Sequence, residues 1–147
     1  MDAAGTITNT AVVSGGGITP ITVTETIGTE STPILTITKS VSPVPVTENG
    51  TLTYTFLIQN AGSAPADIGT DAVIVDTFNP LLSNLAVSFN GTAWAETTNY
   101  TYDETTGVFT TIAGQITVPA ATYTQNPATG VWTADPGVST LVVKGTI

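Results

Sequence analysis

Through most of its length the chain alternates apolar residues with threonine or serine, and a period of two predicts β-strands. The clearest case is TLTYTFLIQN, where Leu52, Tyr54, Phe56 and Ile58 share one side and the threonines and Leu57 the other. In GTITNTAVVS, from Gly5 to Ser14, Ile7, Asn9, Ala11 and Val13 fall together, opposite Thr6, Thr8, Thr10 and Val12. In ILTITKSVSPVPV, Leu35, Ile37 and Lys39 oppose Ile34, Thr36 and Thr38. Further strands are predicted over 72–78, 85–89, 94–102, 108–112, 115–118, 121–124, 131–134 and 139–147. Between them, Asn49-Gly50, Asn79-Pro80, Asn90-Gly91, Glu104–Gly107 and Ala128–Gly130 read as turns, since Asn and Gly accept positive φ. No stretch of about twelve residues carries an apolar stripe at helical spacing. Short strands at regular spacing predict an all-β sandwich. Its expected core is Tyr54, Phe56, Ile58, Val73, Val75 and either Leu141 or Val142.

Composition agrees and narrows the function. The 147 residues suit one domain with an arm. Only 9% are charged, against about a quarter in ordinary globular chains. Two basic residues against eleven acidic ones give a net charge of −9. Such a surface repels phosphate backbones and anionic lipid, so neither nucleic acid nor electrostatic membrane docking is expected. No apolar run approaches the ~20 residues of a membrane span, so no membrane insertion is expected. The chain has no cysteine and no histidine. That removes disulfides, thiolate and imidazole metal sites, and most nucleophile–base pairs. No metal, cofactor or external substrate is expected, and the chain does not read as an enzyme. The opening MDAAGTITNT lacks the basic and apolar regions of a secretory signal, which leaves the export route open.

The segments LTITKSVSP, GTLTYTFLIQNAGSAPA and VIVDTFNP carry a resemblance. Lys39 before Ser-Val-Ser-Pro, Gly50 before the Tyr54 strand, Asn60-Ala-Gly62, and Asp76-Thr77 before Pro80 resemble the prokaryotic surface-repeat family called domain of unknown function 11. The resemblance runs from about Leu35 to Ile147 and implies an immunoglobulin-like β-sandwich at the cell surface or outside the cell. Domains of that family end on a strand of the form I-T-N-T-A-x-V-S. Here ITNTAVVS stands at Ile7–Ser14, ahead of the domain rather than behind it. The resemblance therefore divides the chain into an N-terminal extended donor strand at 1–14, a linker at 15–33 and a sandwich at 34–147; the weakly alternating, Thr-rich stretch from Ile18 to Thr32 reads either as extended linker or as an edge strand. A sandwich lacking its last strand has an open edge. The chain's own arm can close it, giving a permuted monomer that serves as an adhesin-like binding module or as a single repeat of a tandem cell-surface protein. Alternatively the arm of another copy enters it, as in donor-strand complementation, and an open head-to-tail filament results. The linker spans at most about 60 Å, which permits either outcome. The filament is the expected function, with Ile7, Ala11 and Val13 as anchors beside an acceptor strand holding Leu141 and Val143.

The remaining chemistry-bearing residues are few. Lys39, Asn9 and Asp76 form a constellation suited to a spontaneous isopeptide bond. Where Asn9 enters a neighbouring copy, the bond runs between subunits and locks the filament: Lys39 attacks the Asn9 amide while Asp76 donates a proton, with Glu25, Glu30 or Glu48 as alternative acids. The competing reading is a surface-directed lysine, a solvated Asp76 and an Asn9 bonded to backbone. Asn49, Asn90 and Asn99 begin N-x-T glycosylation triplets on turns. Asp67, Asp71, Asp103 and Glu104 match no calcium loop. Trp94, Trp132, Tyr100, Tyr102 and Tyr123 are expected to pack, with a carbohydrate- or partner-binding face as the alternative.

Overall fold

A computed structural model describes residues 5–29 and 31–147, with backbone alone for 5–9, 18 and 25–29. Twelve strands and one 3-10 turn at Ile68–Thr70 make up its regular structure. The strands are β1 (Gly5–Gly15), β2 (Ile18–Thr29), β3 (Leu35–Ser42), β4 (Thr51–Asn60), β5 (Val75–Thr77) and β6 (Ser83–Phe89). They continue as β7 (Thr92–Trp94), β8 (Tyr100–Asp103), β9 (Val108–Thr111), β10 (Thr122–Gln125), β11 (Trp132–Asp135) and β12 (Gly137–Thr146). The chain is all-β, and each pair of neighbouring strands is antiparallel.

Two sheets build the body: five strands in the order β3-β4-β12-β6-β7, and three in the order β5-β9-β8. Alternation places Leu52, Tyr54, Phe56 and Ile58 of β4, with Leu141 and Val143 of β12, in one core. The smaller sheet contributes Tyr100 and Phe109, and Phe78 follows β5. Phe78 ties the sheets together, its ring stacking on Tyr54 at 4.7 Å and lying 5.7 Å from Phe109. Burying a ring of this kind stabilises by about 1.5–3 kcal/mol. The layout is consistent with a β-sandwich.

Several sequence expectations hold and others need correction. Asn90-Gly91 reverses the chain between β6 and β7 with φ of 47° and 82°, as a two-residue hairpin turn requires. Of the expected core, Tyr54, Phe56, Ile58 and Leu141 are buried, but Val73 and Val75 are 47% and 66% exposed. Phe78 decides the parity: once its ring is inside, the period of two turns Ile74 and Asp76 inward and the two valines outward. Residues 94–102 are two strands in different sheets, split by the Thr97-Thr98 turn. Residues 115–118 form no strand, and only Val118 bridges to Ala66. Over 15–33 the linker reading is corrected and the edge-strand reading of 18–32 holds, because Ile18–Thr29 is a strand paired to β1. Gly15, Gly16 and Gly17 have φ of 125°, 58° and 77°, a backbone open to glycine but costly to other residues. SGGG is thus a reversal, not a tether, and the arm is a hairpin.

Candidate functional site

The β1–β2 hairpin is a sheet of its own. Its register sets Ala11 opposite Val23 and Val13 opposite Ile21. Directly opposed residues share a face, so these four make one apolar patch, in which Val13, Ile21 and Val23 are 57–63% exposed. The other face carries threonines, with Thr10 and Thr24 hydroxyls 3.4 Å apart. Ile7 pairs with Ile27, and Asn9 with Glu25, along the backbone; the side chains of these four, and Glu30 as a whole, lie outside the described residues.

The root of this arm is fastened to the body. Asn60, fully buried, accepts from the Ile34 and Gly62 amides through Oδ1, each at 2.9 Å. Its Nδ2 donates to the carbonyls of Ala64 and Pro119. Gly62 lies so close to this root that a Cβ there would stand 2.0 Å from the Thr32 carbonyl oxygen. The Ser31 and Ser63 hydroxyls meet at 3.2 Å.

Beyond the root, β3 opens a seam. Ile37 is paired with Ile58, Leu35 with Asn60, Lys39 with Phe56 and Val41 with Tyr54. Each pair shares the inward face, yet the β4 members are buried while Ile37 is 51% exposed and Leu35 and Val41 are exposed as well. The smaller sheet stops short of them: β5 is its edge strand, with β9 on one side alone. Leu35, Ile37, Ile58, Val73, Ile74 and Ile116 line an apolar groove of about 140 Å³ in this gap. The expected acceptor, Leu141 and Val143 on β12, is a correction. That strand is bonded to β4 on one side and β6 on the other, with both residues fully buried, so it has no free edge. The edge strands of the two body sheets are β3 and β7, and β5 and β8, and it is β3 and β5 that flank the seam.

Lys39 and Asp76 meet across this seam as an ion pair linking β3 to β5. The Lys39 Nζ lies over the rings of Tyr54, Phe78 and Phe56, at 4.7, 5.5 and 5.7 Å from their centroids. Asp76 Oδ1 accepts from the Thr77 amide at 2.9 Å. Oδ2 is buried and receives no well-aligned hydrogen bond, leaving the Lys39 ammonium as its partner. Asp76 is therefore paired rather than solvated. Glu48 is exposed in the turn before β4.

Of the glycosylation candidates, Asn49 is exposed with a φ of 59° and no described hydrogen bond to its amide. Asn90 holds Ser139 and the Thr140 amide, and Asn99 holds the Ala95 amide and Gln115. Most of the aromatic residues pack: Trp94 stacks on Phe89, Tyr100 on Phe109, and Tyr102 and Tyr123 bond to backbone. Trp132 is 58% exposed. No grouping of three potential metal ligands occurs among the described residues. Comparison with protein-family models, curated proteins and solved structures finds no match to this chain. No helix among the described residues is long and apolar enough to cross a membrane.

Proposed function

We propose that this chain is the structural subunit of an extracellular filament, built head-to-tail as the β1–β2 arm of one copy fills the β3–β5 seam of the next. The carrying observation is a two-sided vacancy. Among the described residues the apolar hairpin face is exposed, and so are Leu35 and Ile37 on the inward face of β3, beside the point where Lys39 reaches β5. A lone two-stranded hairpin is marginal in water, and an open apolar edge recruits a fitting strand. The arm's patch of Ala11, Val13, Ile21 and Val23 matches the groove in chemistry and in spacing along a strand. Because donor and acceptor are different surfaces, the contact does not close on itself and propagates. The resemblance to surface repeats supports the immunoglobulin-like reading of the body and the placement outside the cell.

Negative-stain microscopy and size-exclusion chromatography of the whole chain test this. Filaments are expected, and a chain lacking residues 1–29 should run as monomers. Val13→Glu on the arm and Ile37→Glu in the seam should each stop growth. Mixed together, these variants should form heterodimers, since each keeps one working surface. Filaments from the truncated chain, or a full-length protein that stays monomeric at high concentration, would sink the proposal.

A further inference from the structure

We infer that Lys39 and Asp76 condense to a permanent amide, an isopeptide bond within one subunit that staples β3 to β5. The inference stands whether or not the subunit polymerises. Four observations converge on it. The Lys39 Nζ and the Asp76 carboxylate are in direct contact. The contact bridges the two sheets, from a strand with one free edge to another with one free edge. Three aromatic rings lie with their centroids 4.7–5.7 Å from Nζ and hold the lysine head on the carboxylate, although the lysine side chain as a whole is 39% exposed. The two carboxylate oxygens are differentiated: Oδ1 is held by the Thr77 amide, while Oδ2 is buried without a well-aligned donor.

The step balances without a co-reactant. One proton passes from the ammonium to Oδ2, leaving an amine beside a carboxylic acid. Nζ attacks Cγ, and the negative charge that develops on Oδ1 is stabilised by the Thr77 N–H. Nitrogen gives up a second proton to the hydroxyl at Oδ2, which departs as water. One C–N bond forms and one C–O bond breaks, with no change of oxidation state. Holding both groups in contact removes the entropic barrier of a bimolecular reaction. In this bond Asp76 supplies the carbonyl. Lys39 is thereby consumed inside its own subunit and is not free to join the Asn9 of a neighbour.

The chain's composition makes the test direct, since Lys39 and Lys144 are its only basic residues. The purified full-length protein should have an intact mass lower than its sequence mass by one water. After full denaturation trypsin should cut at Lys144 and leave Lys39 uncut, because an acylated lysine is not a substrate. Lys39→Arg keeps the positive charge but offers no primary amine, and Asp76→Ala offers no carbonyl. Either variant should regain the missing water, read against its own sequence mass. Peptide sequencing of a second, acid-directed digest should find residues 39 and 76 in one branched peptide. A wild-type mass equal to that of the sequence, with free cleavage at Lys39, would overturn the inference and leave an ion pair. Water lost equally by wild type and Lys39→Arg would place the condensation elsewhere and overturn it too.

Discussion

Asn60 shows how much one polar side chain can organise when it is cut off from water. All four of its hydrogen bonds run to backbone, joining the arm's root, the 61–64 loop and the loop at Pro119. Asn60→Ala strands those buried groups at once, so a loss on the order of 3 kcal/mol is expected in a denaturant titration. Aspartate is no rescue, because it cannot donate to Ala64 and Pro119. At the other end of the body Asp103 closes the β8–β9 turn. Its carboxylate accepts from the Thr105 amide, and from the Thr106 hydroxyl and amide, and these bonds hold it below the ordinary 3.8. A lowered folded value means the turn's contribution is complete above that ordinary value and disappears as pH falls through the lowered one. Asp103→Asn should therefore flatten part of the acid limb of the unfolding profile, followed by the melting midpoint. The effect should be small, as the group is fully exposed.

Among the elements, β12 and the arm stand at opposite extremes. Every other residue of β12 is buried, and it has partners on both edges. The arm has only itself. Amide hydrogen exchange should rank them accordingly. In the Ile37→Glu variant, where the seam is blocked, amides of β1 and β2 should exchange fast while those of β4 and β12 stay protected. In assembled wild-type protein the arm amides should become slow. An arm equally unprotected in both states would mean that it does not enter the seam.

For the whole molecule, the proposed assembly makes stability depend on concentration. Filling the seam covers Leu35, Ile37 and Val41 as well as Val13, Ile21 and Val23, and each buried aliphatic side chain contributes about 1.5–3 kcal/mol. Binding that favours the folded state raises the melting temperature by mass action. The midpoint of the full chain should thus rise with protein concentration, and that of the chain lacking residues 1–29 should not. Adding a synthetic peptide of residues 5–29 to the truncated chain should restore the lost stability. It should cap the seam without building filaments, since the peptide brings no acceptor.

The period-two alternation alone determined that this is an all-β protein, because strand side chains must alternate whatever they pack against. It also determined the buried face of β4, while the Asn90-Gly91 pair by itself determined a turn whose backbone only a few residue types accept. Lys39 and Asp76 were legible as chemically unusual, a lone lysine in a strand and an acid ending an apolar run. Their meeting was not, since 37 positions separate them and only the stacking of two sheets brings β3 to β5. Tertiary structure also decided which side of 72–78 faces inward, through Phe78, and chose strand over linker for β2, through three glycines in left-handed backbone. It placed β12 inside its sheet and left β3 and β5 among the edge strands for the same physical reason. Alternation states which residues of a strand share a face, but the neighbours that cover that face are set by folding in three dimensions.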